Sequence, residues 1–119
     1  MENPTIKDLK IYVPAQNFEE SKKFYTELGF ELTEAWGETF DCRLGGAEFR
    51  LQNYYNKDWA ENFMMRFGVA DVRAWYDFAK PVIESGRYAN VRIDKPETID
   101  DTVVMHIWDP CGVLLIFVQ

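Results

Sequence analysis

The order strand, helix, strand, strand, strand occurs twice in this sequence of 119 residues. In the first half, Leu9, Ile11 and Val13 alternate with polar residues, which predicts a half-buried strand with these side chains against the helices. Asn17, with Glu20 three positions later, then predicts the start of a helix. Three strands are predicted after this helix, at 30–36, 39–44 and 47–55.

The second half repeats this order. A strand at 62–69 precedes a helix that begins after Asp71, and strands are predicted at 88–94, 102–108 and 112–118. The apolar stripe of this helix is predicted to face the core, and it comprises Val72, Trp75, Phe78, Val82 and Ile83. Placing Asn17 on Asp71 also places Phe24 on Phe78. We therefore predict an α+β fold of two βαβββ modules in tandem.

Length and composition predict one globular domain over residues 1–119. Module one covers about 5–54, a linker about 55–61, and module two about 62–119. A net charge of −7 argues against nucleic acid as a partner. No apolar run approaches the roughly 20 residues that span a bilayer, and the first residues lack a signal-peptide pattern, so we expect a cytoplasmic protein without a membrane partner. Cys42 and Cys111 lack a C-x-x-C spacing and are predicted to be reduced structural thiols.

Two segments at opposite ends of the chain resemble signatures of a known family. "NFEESKKFYTELGFEL", residues 17–32, and "DPCG", residues 109–112, are similar to the opening helix and the final turn of the vicinal oxygen chelate superfamily, which includes glyoxalase I, bleomycin-resistance proteins and extradiol dioxygenases. The resemblance implies a curled, cup-shaped mixed sheet with the helices on its outer face and a ligand or metal inside the cup. Many members are dimers, so a homodimer is expected.

The resemblance also implies where a family metal would bind. The four corresponding positions are Lys10, Arg50, Met64 and Ile116. Two are cations, one is an aliphatic side chain and one is a thioether, so no divalent metal cofactor is expected. The first hypothesis is a metal-free protein, not an enzyme, that binds a small organic molecule as bleomycin-resistance-like members do. The alternative is a metal-dependent glyoxalase-like lyase or isomerase, or a dioxygenase, with ligands one or two residues away.

Strand alternation predicts which side chains line the cup. Residues such as Phe49, Met65 and Phe67 are assigned to the helix side of the sheet, and their neighbours to the cup. The predicted ligand-binding residues are Lys10, Tyr12, Glu48, Arg50, Gln52, Met64, Arg66, Ile116 and, at the rim, Trp108. No catalytic residue is assigned, because the only histidine, His106, is interpreted as a hydrogen-bonded structural residue.

Two questions stay open at the level of sequence. Lys10, Arg50 and Arg66 could hold a carboxylate or phosphate, or Glu48 could pair with one arginine and leave no dedicated anion site. Aromatic residues of the linker could form part of the pocket rim or of a dimer interface.

Overall fold

The computed structural model describes residues 3–119, and it contains the predicted order of elements. The first module consists of β1 Tyr12–Pro14, α1 Phe18–Glu27, β2 Glu31–Ala35, β3 Thr39–Leu44 and β4 Ala47–Gln52. The connection contains a short helix, α2 Lys57–Glu61. The second module consists of β5 Met64–Gly68, α3 Val72–Ile83, β6 Arg92–Ile93, β7 Glu97–Ile99, β8 Thr102–Trp108 and β9 Leu114–Val118.

Each helix begins at a residue whose side chain accepts a backbone N–H of the first turn. Asn17 accepts from Glu20 at 3.1 Å, Asn56 from Trp59 at 3.0 Å and Asp71 from Ala74 at 3.0 Å. Such caps satisfy donors that have no partner within the helix. Among residues 3–119, no helix combines the length and the apolar character that crossing a membrane requires.

The strands form two separate mixed sheets with the same topology. Sheet one has the order β1-β4-β3-β2 and sheet two the order β5-β9-β8-β6, with β7 also paired to β8. In each sheet the first strand of the module runs parallel to the last strand, and the other pairs are antiparallel. This equivalence confirms the α+β fold and the tandem modules. The short β7 and the helix α2 were not predicted.

The helices α1 and α3 pack on the sheet faces opposite to the predicted cup. The ring centroids of Tyr25 in α1 and Phe49 in β4 are 5.0 Å apart, and so are those of Trp75 in α3 and Phe117 in β9. The two modules share one core, because Tyr25 Oη also donates to Asp109 Oδ2 of the second module at 2.6 Å.

Three residues that were predicted to lie in the core are exposed. Leu9 and Ile11 are 73% and 42% exposed, because β1 begins only at Tyr12 and pairs with β4 alone, so only Val13 of the alternating set is buried. Phe78 is 53% exposed. At 3.6 residues per turn it lies about 120° around α3 from Val72, at the margin of the buried stripe.

Candidate functional site

The face of sheet one that points away from α1 carries a network of ion pairs. Arg50 donates to both carboxylate oxygens of Asp41, at 2.7 and 3.2 Å. Lys10 donates to Glu48 and lies 3.6 Å from Asp41, and Arg43 Nε donates to Glu48 at 2.9 Å. Asp41 and Arg43, which complete the network, were not among the predicted site residues.

The network favours the charged forms of Asp41, Glu48 and Lys10. The hydrogen bond from Arg50 lowers the pKa of Asp41, and those from Lys10 and then Arg43 lower the pKa of Glu48. The hydrogen bond with Glu48 raises the pKa of Lys10. The three cations of the network share the two carboxylates, and Glu48 pairs with an arginine as in the second of the two alternatives given for the sequence.

The corresponding face of sheet two is mainly apolar. Arg66, Ile116 and His106 lie side by side in one row across β5, β9 and β8. Met64, Leu114 and Trp108 form the next row. These three strands contain no Asp or Glu. The guanidinium carbon of Arg92 lies 3.9 Å from the Trp108 ring centroid, and the His106 ring centroid lies 5.9 Å from the same ring. That His106 is a hydrogen-bonded structural residue stays a prediction.

A cleft of about 820 Å³ lies between the two modules. Its volume is typical of small-molecule sites. Its lining includes five aromatic rings that contact one another in sequence, Phe49, Phe30, Phe67, Phe117 and Trp75. The successive ring centroids are 5.4, 5.9, 5.3 and 5.0 Å apart. The first two rings belong to module one and the other three to module two, so only the packing of the modules creates this aromatic floor.

The cleft brings together three of the nine predicted ligand-binding residues. Glu48, Met64 and Arg66 line it, and Glu48 and Arg66 are the charged residues of its lining. The other six lie outside the lining. Lys10 and Arg50 belong to the ion-pair network, Tyr12 accepts a hydrogen bond from Arg50, and Gln52 is the last residue of β4. Ile116 and Trp108 lie on the face of sheet two that points away from α3.

Several aromatic residues of the floor were missed because strand alternation assigns them to the helix side. Phe67 and Phe117 do face that side. Phe30, Phe49 and Phe117 are at most 4% exposed, so the half-buried rings of Phe67 and Trp75 are the part of the floor that the cleft exposes. The density of aromatic residues near β5 and in α3 is the one sequence signal that could have indicated them.

The four positions of the family's metal site do not fit a divalent metal here. Lys10 and Arg50 are engaged in ion pairs, Met64 is an exposed thioether, and Ile116 offers only hydrocarbon. Within residues 3–119, no cluster of three or more His, Cys, Asp or Glu side chains is arranged to hold a metal ion.

Comparison with known proteins agrees with this architecture. A family model described as the glyoxalase/bleomycin resistance protein/dioxygenase superfamily matches residues 9–117. No curated protein matches the sequence.

Solved structures with this fold include several antibiotic-binding proteins. A bleomycin resistance determinant encoded on the transposon Tn5 has a TM-score of 0.79 at 21% identity, with 96% of this chain and 98% of that chain covered. A bleomycin-binding protein complexed with bleomycin has a TM-score of 0.77 at 21% identity and the same coverage. An antibiotic-binding protein from Streptomyces sp. CB03234 has a TM-score of 0.74 at 18% identity, with 97% of each chain covered.

Proposed function

Because the chain belongs to the glyoxalase/bleomycin resistance protein/dioxygenase superfamily, we propose that it is a metal-free protein that binds a small organic molecule in the cleft between its modules. The observation that carries the proposal is the continuous floor of five aromatic rings, which both modules contribute. Apolar pockets with a few polar groups are the usual form of small-molecule sites. The antibiotic-binding proteins of the same fold support the ligand class.

A metal-free, homodimeric state forms part of this proposal. The side chains at the four family metal positions support the absence of a metal ion, as described above. Large apolar side chains near the N-terminus and on the edge strand β5 support dimerisation, since Ile6, Leu9 and Met64 are at least 60% exposed. A second copy would remove such exposed apolar side chains from water.

Native mass spectrometry of untagged protein, produced with zinc and nickel in the medium, tests both statements. We expect a species of about 28 kDa, twice the 14.0 kDa of one chain, without a divalent ion. One zinc or nickel ion per subunit would overturn the metal-free state in favour of the metal-dependent lyase or dioxygenase. A monomer at micromolar concentration would overturn the dimer.

Reducing the space in the cleft is expected to weaken binding. Gly46 lines the cleft, its φ is not positive, and a Cβ added there meets nothing within 4 Å. Gly46→Trp therefore places a large ring in the cleft without backbone strain. With naphthalene-2-carboxamide as a neutral aromatic probe, we expect isothermal titration calorimetry to show at least about a tenfold loss of affinity, or about 1.4 kcal/mol.

Gly46→Ala is the matched control, because a methyl group leaves the cleft open, and its affinity for the probe should stay close to that of the original protein. Equal affinities for the tryptophan and alanine variants would place the probe outside the cleft. Absence of probe binding to the original protein would contradict the aromatic cleft as a binding site.

A further inference from the structure

We infer that Arg66 makes the cleft selective for aromatic ligands that carry a carboxylate. The inference rests on the proposed function and adds the chemical class of its ligand. It concerns the charge of the ligand, whereas the preceding proposal concerns only its aromatic body.

Arg66 differs from the other arginines in its surroundings. The sequence has six arginines. Arg43, Arg50, Arg87 and Arg92 form ion pairs with carboxylates, and Arg73 donates to the Thr98 hydroxyl at 3.4 Å. Within residues 3–119, the guanidinium of Arg66 makes neither an ion pair nor a hydrogen bond. In a chain with a net charge of −7, an arginine that lines a cleft and has no carboxylate within 4 Å among residues 3–119 is a distinctive feature.

The strands around Arg66 explain why it is unpaired. Its neighbour in the sheet is Ile116 on β9, and the next residue in the row is His106 on β8. Since β5, β8 and β9 contain no Asp or Glu, no carboxylate lies beside it on these strands. Arg66 Nη1 lies 3.6 Å from the position that a Cβ on Gly68 would take, so the guanidinium lies along β5 beside another residue of the cleft lining.

The second charged residue of the lining does not offset Arg66. Glu48 already accepts hydrogen bonds from Lys10 and Arg43, so its charge is neutralised on the network side. The net effect on the cleft is one available positive charge beside an aromatic floor. A cationic ligand gains no free carboxylate there.

The chemistry of guanidinium groups narrows the ligand class. A planar guanidinium donates two parallel hydrogen bonds to a carboxylate, and arginine also stacks on aromatic faces. Arg66 and Phe67 point to opposite faces of the edge strand β5, and both line the cleft. An aromatic acid satisfies both features when its ring lies against the half-buried Phe67 and Trp75 and its carboxylate reaches round this edge to Arg66. Because Arg66 is exposed, the gain from the charge is modest, about fivefold in affinity, and it decreases with salt.

Two isosteric probes separate charge from aromatic binding. We expect isothermal titration calorimetry at low ionic strength to show about fivefold tighter binding of 2-naphthoate than of naphthalene-2-carboxamide. In Arg66→Gln, this ratio should fall to about one while the affinity for the amide stays unchanged. Arg73→Gln removes the same charge from α3, outside the cleft, and should keep the original ratio.

The possible results distinguish a failure of the carboxylate preference from a failure of the proposed function. Equal affinities of the original protein for the two probes would overturn the carboxylate preference and leave the proposed function intact. A ratio that falls equally in Arg66→Gln and Arg73→Gln would also overturn it, because the preference would then reflect net charge alone. If neither probe binds, both the cleft as a binding site and the inference fail.

Discussion

Phe49→Ala is expected to lower the free energy of unfolding by about 3–5 kcal/mol. Phe49 is only 2% exposed, and its ring contacts Tyr25 of α1 and Phe30, with centroids 5.0 and 5.4 Å apart. Truncation loses the burial of the ring and leaves a cavity between sheet one and α1. Urea denaturation followed by circular dichroism measures the change.

Phe78→Ala is the matched control, because it removes the same side chain from α3 where the structure leaves it 53% exposed. Its cost should be less than about 1 kcal/mol. A comparable loss in both variants would show that α3 presents Phe78 to the core, as its sequence pattern alone predicts.

The contribution of Asp109 to the stability of the protein is expected to fall as the pH rises from about 4 to about 6. Burial raises the pKa of this carboxyl from 3.8 in its ordinary state to about 6, although Tyr25 Oη and the N–H groups of Cys111 and Val113 donate to it. Over this range the folded chain binds a proton that the unfolded chain has released. The free energy of unfolding therefore decreases with pH, by about 3 kcal/mol in total from this group.

Asp109→Asn isolates this contribution. The amide oxygen can still accept from the two backbone N–H groups, and the amide nitrogen can donate to Tyr25 Oη. The difference in unfolding free energy between the two proteins, measured by urea denaturation at pH 4, 5, 6 and 7, should change by about 3 kcal/mol across the series.

Other carboxyls change the stability with pH in the opposite direction, and the comparison of the two proteins removes their contribution. The pKa values of Glu27, Asp41 and Glu48 are lowered by their hydrogen bonds, so each contributes stability that is lost as the pH falls below about 4.5. Both proteins contain these groups. A difference that stays constant from pH 4 to pH 7 would contradict the raised pKa of Asp109.

Local signals in the sequence predicted most of the fold. Asn17 and Asp71 cap the helices they were predicted to begin, and the Asp109–Gly112 turn is closed by a hydrogen bond from Gly112 N–H to the Asp109 carbonyl at 3.0 Å. Alternation correctly separated Glu48 and Arg50 from Phe49 on β4. These features depend on neighbours within a few residues of the chain, which a sequence displays directly.

The candidate site could be predicted only in part. Alternation indicates which face of a strand a side chain occupies, and it placed Met64 and Arg66 on one face correctly. It does not indicate that a gap between two modules leaves Phe67 and Trp75 only half-buried, above the buried rings of Phe30 and Phe117. Nor does it indicate that Asp41 reaches Arg50, since cross-strand partners depend on register.

By itself, the sequence determined the two βαβββ modules, the helix caps and the closing turn, because these follow from local periodicity and side-chain chemistry. Only the tertiary structure decided that the modules share one core through Tyr25 and Asp109, and that an aromatic cleft opens between them. It also decided that Lys10 and Arg50 are neutralised while Arg66 is not. The physical reason is that burial and ion pairing depend on residues far apart in the chain, whose approach is set by the packing of whole elements.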